Sequence, residues 1–223
     1  MADAIAAGQG ARPEVEHGAL MDAQYRWQRH VYDLSRKYYL LGRDELVCAL
    51  RVPSGASVLE LGCGTGRNLA LVARRYPEAR LFGIDISAEM LKNAHRNAPG
   101  AMLSVGDATR LDPAALLGEP VFDHVFMSYT LSMIPDWRGA LDQGARLLAP
   151  GGRLHVVDFG QQEGLPGWFR RMLQAWLTKF HVTPRRDLFE ACEAVAARHG
   201  LSCTTARSYR GYAWSAVLSR SGT

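Results

Sequence analysis

The sequence predicts an α/β fold built around an open, mostly parallel sheet. Strand-like and helix-like patterns alternate from Ser57 onward, and this alternation places helices on both faces of a parallel sheet. The C-terminal region alternates apolar and polar residues as a β-hairpin does. The predicted strands cover residues 57–61, 80–85, 101–105, 121–128 and 152–158, with a hairpin at 203–210 and 213–220. The predicted helices cover residues 66–75, 87–96, 137–148 and 186–199.

A glycine-rich turn follows the first predicted strand. The apolar run from Val58 to Leu61 leads into Gly62, Gly64 and Gly66, and helical periodicity begins at Asn68. A strand, a glycine turn and a helix start bring bare backbone close to a ligand, with N–H groups directed at it. This arrangement favours a cofactor that contains a nucleoside.

The spacing of the glycines narrows the choice of cofactor. A dinucleotide-binding turn needs a third glycine at the position that Arg67 occupies, which weighs against a nicotinamide cofactor. Here the pattern is Gly-x-Gly-x-Gly, preceded by Glu60. Asp85 ends the second strand, where a carboxylate can accept both ribose hydroxyls, and Asp107 follows the third, where it can accept the adenine amino group. Ordinary strand-end turns also use Gly and Asp, but the ordered set favours S-adenosylmethionine (SAM).

Composition and charge limit the classes of partner that we expect. The chain has 223 residues and a formal net charge of +4, without a Lys/Arg run or motif of the nucleic-acid-binding kind, so no nucleic-acid partner is expected. The four cysteines are widely spaced, and no metal is expected. The chain shows neither a secretory signal nor an apolar run of the ~20 residues that span a bilayer, so a cytoplasmic protein is expected.

The N-terminal region is predicted to form a tail over residues 1–16, which we expect to be disordered, and a helical lid over residues 17–52. One face of the lid helix is apolar. A second face carries Tyr25, Tyr32 and Tyr39, with Arg29 and Arg36 beside them. The tyrosines either close over the site or only pack against the fold. The apolar face comprises Trp27, Val31, Leu34, Tyr38 and Leu41.

The predicted SAM-binding domain covers residues 53–223. It contains an insertion at 161–184 that does not fit the alternating pattern of strands and helices. Within it, basic residues Arg170, Arg171 and Lys179 lie off a wide apolar stripe. The segment is either a cap helix packed on the sheet or a surface that contacts lipid. The stripe comprises Phe169, Met172, Leu173, Trp176, Leu177 and Phe180.

The turn from Glu60 to Gly66, together with Asp85 and Asp107, resembles the class I SAM-dependent methyltransferases. The resemblance runs from about Ser57 to the C-terminus. It implies a Rossmann-like, seven-stranded mixed sheet that ends in an antiparallel hairpin, with SAM lying over the carboxyl ends of the strands.

A closer resemblance involves residues 31–46 and 128–137, which are similar to the betaine-lipid N-methyltransferases. These enzymes convert diacylglyceryl homoserine into diacylglyceryl-trimethylhomoserine. The resemblance implies that Tyr32 closes over SAM and that Arg43 meets the methionine carboxylate. It also implies a lipid substrate at an anionic membrane surface, with the protein bound peripherally to the inner face of the membrane. The alternatives are another lipid amine such as phosphatidylethanolamine, a small-molecule acceptor, or a non-catalytic SAM-binding partner protein.

These arguments give a predicted set of site residues. Tyr129 and Tyr32 are the predicted catalytic residues, because aromatic faces stabilise a cationic methylated amine by about 0.5–2 kcal/mol per contact. The predicted substrate-binding residues, chosen for contact with the amine or the headgroup carboxylate, are Tyr25, Arg36, Arg185 and Arg186. The predicted cofactor-binding residues are Tyr32, Arg43, Glu60, Gly62, Cys63, Gly64, Gly66, Asp85, Ile86, Asp107, Ala108, Ser128 and Tyr129.

Overall fold

A computed structural model of the chain describes residues 40–222. The predicted tail at 1–16 and most of the predicted lid, including Tyr25, Tyr32 and Arg36, lie outside the described residues. The helices are α1 (Arg43–Ala49), α2 (Arg67–Arg75), α3 (Ala88–Asn97), α4 (Pro113–Leu117), α5 (Trp137–Arg146), α6 (Gly167–Lys179) and α7 (Leu188–His199). The strands are β1 (Ser57–Leu61), β2 (Arg80–Asp85), β3 (Met102–Val105), β4 (Phe122–Ser128), β5 (Leu148–Phe159), β6 (Ser202–Ser208) and β7 (Ala213–Ser219).

The strands form one seven-stranded sheet in the order β3-β2-β1-β4-β5-β7-β6. The first five strands are parallel, and β7 runs antiparallel to both β5 and β6. This confirms the predicted mixed sheet with a terminal hairpin. The order reverses between β1 and β4, and in open α/β sheets a ligand binds outside the strand ends at such a reversal.

Two local features differ from the sequence prediction. The sequence Pro150-Gly151-Gly152, which is typical of a turn, lies inside β5, because Leu148 already pairs with Phe122 before the register shifts at an irregularity in the pairing. The short helix α4 was not expected. It starts at Asp112, whose side chain accepts a hydrogen bond from the Ala115 N–H at 3.2 Å, and Pro113 occupies its first turn.

Buried apolar residues form two clusters on the two faces of the sheet. In β1, Leu59 joins the cluster that contains residues of α5 and α7, whereas its neighbour Val58 joins the cluster that contains residues of α1, α2 and α3. Successive strand residues point to opposite faces, so the apolar runs of β1, β2 and β4 are buried on both sides, whereas the edge strand β3 is partly exposed.

Helix α6 packs much of the predicted apolar stripe against the fold. Leu173 and Leu177 are buried, and Phe169, Trp176 and Phe180 are half-buried against the cluster on the α1 side of the sheet. Met172, in contrast, is 55% exposed. The interpretation of this segment as a packed cap therefore holds for most of the stripe. Within residues 40–222, the structure has no helix that is both long enough and apolar enough to cross a bilayer.

Two buried histidines make fold stability depend on pH. His155 on β5 and His124 on β4 have ring centroids 6.0 Å apart, and burial, with His124 and Arg153 nearby, lowers the pKa of His155 from 6.5 to about 3. The folded protein thus keeps His155 neutral while the unfolded chain takes up a proton as the pH falls below 6.5. We expect this residue to lower the free energy of unfolding by about 1.4 kcal/mol per pH unit between those two values, with no loss at higher pH.

Urea denaturation at a series of pH values below neutrality measures this effect. The variant His155→Leu should show a shallower dependence of the unfolding free energy on pH than the wild-type chain, whatever its absolute stability. Equal slopes in the two proteins would mean that His155 titrates alike in the folded and unfolded states.

Candidate active site

The glycine turn after β1 is tied to the neighbouring strand by backbone hydrogen bonds. The N–H groups of Gly62 and Cys63 both donate to the Ile84 carbonyl, at 2.8 and 2.9 Å. Gly62, Gly64 and Gly66 have φ values of 73°, 53° and 72°, in the left-handed region that favours glycine. The turn therefore needs glycine at these positions for its backbone conformation.

Close packing adds a second requirement at two of these glycines. A Cβ atom at Gly66 would lie 2.8 Å from the Cα atom of Ala94 in α3, and one at Gly62 would lie 2.3 Å from the Thr130 Cγ2 atom. The first contact fixes the approach of the turn to α3. The second brings the turn against the loop that follows β4.

Asp85, at the end of β2, connects the glycine turn to the start of α3. Its Oδ2 atom accepts a hydrogen bond from the Gly64 N–H at 2.7 Å, and its Oδ1 atom accepts one from the Ser87 N–H at 2.9 Å. Asp85 therefore fixes the glycine turn at the end of β2, a position where a carboxylate can accept ribose hydroxyls. The next residue, Ile86, is half-buried beside it.

Asp107 lies two residues beyond β3 and is also half-buried. Its Oδ1 atom accepts hydrogen bonds from the N–H and the hydroxyl of Thr109, both at 2.8 Å. Ala108 packs its side chain into the core cluster on the α5 side, so only its backbone is available to a ligand.

Glu60 is fully buried below the glycine turn, and the side-chain amide of Asn68 in α2 donates to its Oε1 atom at 2.6 Å. The Cys63 side chain packs over Gly83, where an added Cβ would lie 3.0 Å from the Cys63 Sγ atom. Burial, with Asp85 and Glu60 nearby, raises the pKa of the Cys63 thiol well above 9.0. Cys63 therefore remains a protonated thiol in a packed position and is not an activated nucleophile.

A cleft opens at the carboxyl ends of β1 and β4. It brings together Arg43 and Glu60, both buried, so that a cationic and an anionic side chain face the same space. The hydroxyl of Ser128 and the Asn68 Oδ1 atom are buried and have no hydrogen-bond partner within residues 40–222. These groups suit the ammonium and carboxylate of an amino acid. The described lining residues are Leu40, Arg43, Glu60, Gly62, Cys63, Gly64, Thr65, Arg67, Asn68 and Ser128.

Tyr129 occupies a different position from the one predicted. Its backbone has a φ of 56°, and its ring packs edge-on against Phe159 with centroids 4.6 Å apart. Its hydroxyl donates to the Leu41 carbonyl. Burial raises the pKa of Tyr129 well above 10.0, so the phenol stays neutral. Ser128, rather than Tyr129, is among the described residues that line the cleft.

The two predicted headgroup arginines within the described residues differ in their surroundings. Arg186 is exposed. The Arg185 guanidinium donates to two backbone carbonyls, those of Leu131 at 3.0 Å and Ile134 at 2.7 Å. Arg185 is thus engaged by the protein itself. Within residues 40–222 no group of three or more His, Cys, Asp and Glu side chains could hold a metal ion.

The sequence prediction missed Leu40, Thr65, Arg67 and Asn68 in the cleft. Asn68 could have been found from its place in the turn-to-helix junction, because Gly66 caps α2 and Asn68 falls in the first helical turn. That turn faces the ligand in any strand–turn–helix site of this kind.

A sheet in the order β3-β2-β1-β4-β5-β7-β6, with a glycine turn after β1 and an acid at the end of β2, is the class I methyltransferase fold. Residues 58–152 match the family described as a methyltransferase domain. This match runs from β1 into β5 and includes the glycine turn, Asp85 and Asp107.

Curated relatives agree on methyl transfer but differ in substrate. A trans-aconitate 2-methyltransferase from Methylobacterium nodulans is 38% identical over 112 residues, which are 50% of this chain and 42% of that protein. A demethylmenaquinone methyltransferase from Listeria welshimeri is 28% identical over 183 residues, 81% of this chain and 70% of that protein. The chain thus spans less than half of the trans-aconitate enzyme.

Solved structures share the fold at low sequence identity. The putative methyltransferase in complex with the Trm112 activator of Haloferax volcanii superposes with a TM-score of 0.68, 18% identity, and coverage of 90% of this chain and 98% of that one. The magnesium protoporphyrin IX methyltransferase of Synechocystis, solved with bound SAM, gives a TM-score of 0.66, 17% identity, and coverage of 96% and 100%.

Proposed function

We propose that the chain is an N-methyltransferase that methylates the amine of diacylglyceryl homoserine to form diacylglyceryl-trimethylhomoserine at an anionic membrane surface. The choice of headgroup depends on the similarity of residues 31–46 and 128–137 to betaine-lipid N-methyltransferases. The structural observation that supports the lipid assignment is the exposed face of α6, which presents apolar and basic side chains. The segment that follows α6 is hydrogen-bonded to the loop after β4.

The cleft offers complementary groups for each part of SAM. Arg43 is the proposed partner of the methionine carboxylate, and Glu60 and Asn68 lie where they can meet the methionine ammonium. Asp85 is the proposed partner of the ribose hydroxyls, and Asp107 that of the adenine amino group. Tyr32, which lies outside the described residues, is proposed to close the site from the lid.

The chemistry that we propose needs little from protein side chains beyond positioning. SAM, when bound, supplies a methyl group that is activated by its sulfonium. The protein holds the amine in line with that group, and such positioning can lower the barrier by about 7–11 kcal/mol. An amine brings its own lone pair once it has lost its proton to water. Tyr129 is a neutral phenol whose hydroxyl is already donating to the Leu41 carbonyl, so it does not take that proton.

Helix α6 presents a surface of the kind that binds anionic lipid. Trp168 is 64% and Met172 55% exposed, and Arg170, Arg171 and Lys179 are exposed on the same helix, which has no acidic residue. Tryptophan rings and basic side chains together favour the interface of an anionic bilayer. The chain after α6 returns directly to the site, because the Thr183 N–H donates to the Ser132 carbonyl at 2.9 Å.

The membrane contact can be tested at Trp168. The variant Trp168→Glu should pellet with anionic vesicles at least about tenfold less than the wild-type chain, because it removes apolar contact and adds repulsion of ~1 kcal/mol near an anionic surface. The cofactor affinity should not change. Trp176 is a poorer choice, since it is half-buried and its ring lies 4.8 Å from that of Phe180.

The matched control is Leu116→Glu, which adds the same charge at another exposed apolar residue, 42% exposed, on α4. Salt should release the wild-type chain and the control from the vesicles alike, because the electrostatic part is screened over about 8–10 Å. Equal vesicle binding by the Trp168 and Leu116 variants, or binding that ignores lipid charge, would mean that α6 is only a cap.

Lipid extraction from cells that express the chain tests the headgroup assignment. Cells supplied with a source of diacylglyceryl homoserine should accumulate its methylated derivatives when they express the wild-type chain. Cells that express Asp85→Ala should accumulate the unmethylated lipid. Methylated phosphatidylethanolamine in place of betaine lipid would replace the proposed headgroup by the other lipid amine, and absence of any methylated lipid would favour a small carboxylate or quinone acceptor, as in the named relatives.

A further inference from the structure

We infer that Arg185 is a positioning residue of the methyl-transfer site, which acts by fixing the loop between β4 and α5 and not by binding the lipid headgroup. Residues 129–134 directly follow Ser128, which lines the cleft, and we call them the acceptor loop. The inference depends on the proposed methyl-transfer function for its catalytic consequence, but its structural part can be measured without any substrate.

The Arg185 side chain holds the acceptor loop from the side of the cap insertion. Its Nε and one terminal nitrogen donate to the carbonyls of Leu131 and Ile134, at 3.0 and 2.7 Å. Its guanidinium also lies 5.6 Å from the ring centroid of Trp137, at the start of α5. A planar guanidinium can make these separate hydrogen bonds at fixed angles, whereas a lysine ammonium is a single point donor.

The same loop is also held by β5. Asp158 is 1% exposed, and its Oδ2 atom accepts a hydrogen bond from the Ser132 N–H at 3.0 Å. The Ser132 carbonyl accepts one from the Thr183 N–H at 2.9 Å. The loop is therefore bound both to the end of β5 and to the segment that follows α6.

The acceptor loop contains a strained residue, and the loop packs against the glycine turn. Tyr129 has a left-handed φ of 56°, which costs a non-glycine residue about 1–2 kcal/mol. The hydroxyl of the next residue, Thr130, lies 3.3 Å from the Ser128 carbonyl oxygen and 3.4 Å from that of Gly62, and its side chain packs against Gly62. A strained segment keeps its shape only when its surroundings impose it, and Arg185, Asp158 and Thr183 are among the residues that hold this loop.

Loss of the Arg185 contacts should therefore lower turnover rather than substrate affinity. A displacement of about 1 Å at a reacting centre can reduce the rate about a hundredfold. We expect both Arg185→Gln and Arg185→Lys to lower kcat for diacylglyceryl homoserine by at least about tenfold, with the KM values for SAM and lipid within about twofold of wild type.

The two variants distinguish positioning from headgroup binding. A headgroup ligand would act through its charge, so Arg185→Lys would retain kcat and Arg185→Gln would mainly raise the lipid KM. Arg75→Gln, which removes an exposed arginine at the end of α2, is the control for loss of a surface cation. A melting temperature near that of wild type identifies the variants that are folded.

Hydrogen–deuterium exchange gives the substrate-independent measurement. In both Arg185 variants, the peptide that contains residues 129–134 should exchange faster than in wild type, while peptides from β2 and β3 remain unchanged. Faster exchange without any wild-type lipid methylation would uphold the positioning of the loop and reject the proposed substrate. Unchanged exchange with unchanged kcat, or a raised lipid KM that lysine rescues, would overturn the inference.

Discussion

Replacement of Asp85 by alanine is expected to weaken SAM binding by at least about tenfold. The carboxylate is the proposed acceptor for two ribose hydroxyls, and hydrogen bonds to a charged group contribute about 1.5–3 kcal/mol each. The variant also releases the Gly64 and Ser87 N–H groups that Asp85 now accepts at 2.7 and 2.9 Å, so the turn loses its support together with the ligand contact. Isothermal titration calorimetry with SAM measures the loss.

Asp112→Ala provides the matched control for this prediction. Asp112 accepts a backbone hydrogen bond at the start of α4, as Asp85 does before α3, and its loss should cost about 1 kcal/mol of stability. Its variant should bind the cofactor with wild-type affinity. A folded Asp85→Ala protein that also binds normally would remove Asp85 from the site.

Gly66→Ala is expected to be strongly destabilising and to abolish SAM binding. Gly66 has a φ of 72°, and an added Cβ would meet the Ala94 Cα and Cβ atoms at 2.8 and 2.9 Å. Neither α3 nor the turn can move without changing the cleft. We expect a loss of about 2–5 kcal/mol in unfolding free energy, because overpacking of about 1–3 kcal/mol adds to a left-handed strain of about 1–2 kcal/mol.

Gly118→Ala separates these two contributions. Gly118 has nearly the same φ, 71°, but no atom lies within 4 Å of the position of an added Cβ. Its variant should lose only the strain, about 1–2 kcal/mol, and should bind SAM normally. Chemical denaturation of both variants gives the comparison. Equal losses at the two positions would show that the approach of the turn to α3 is not tight.

Most of the fold could be predicted because the local sequence patterns match the strands that form the sheet. The central parallel strands are buried on both faces and therefore read as short apolar runs, and the residues of β1 and β2 were predicted without error at 57–61 and 80–85. The bulged start of β5 could not be predicted, because Pro150 and two glycines are typical of a turn whether or not the flanking residues pair with a neighbouring strand.

A site residue could be predicted where its residue type serves one main purpose, either to adopt a particular backbone conformation or to provide a charge. Glycines with left-handed φ and strand-end acids belong to this group, as at Gly62 and Asp85. The surroundings of Tyr129 and Arg185 could not be predicted, because both are engaged by carbonyls distant in sequence, those of Leu41 for Tyr129 and of Leu131 and Ile134 for Arg185. Such contacts depend on tertiary packing, which a sequence pattern does not specify.

The most direct test of the proposed function is methyl transfer from labelled SAM by the purified chain, with defined acceptors offered in parallel. The acceptors are diacylglyceryl homoserine and phosphatidylethanolamine in anionic vesicles, and trans-aconitate in solution. We predict that label enters diacylglyceryl homoserine and accumulates in its trimethylated form, with little transfer to the other acceptors. Transfer to phosphatidylethanolamine or trans-aconitate while diacylglyceryl homoserine stays unlabelled would contradict the account.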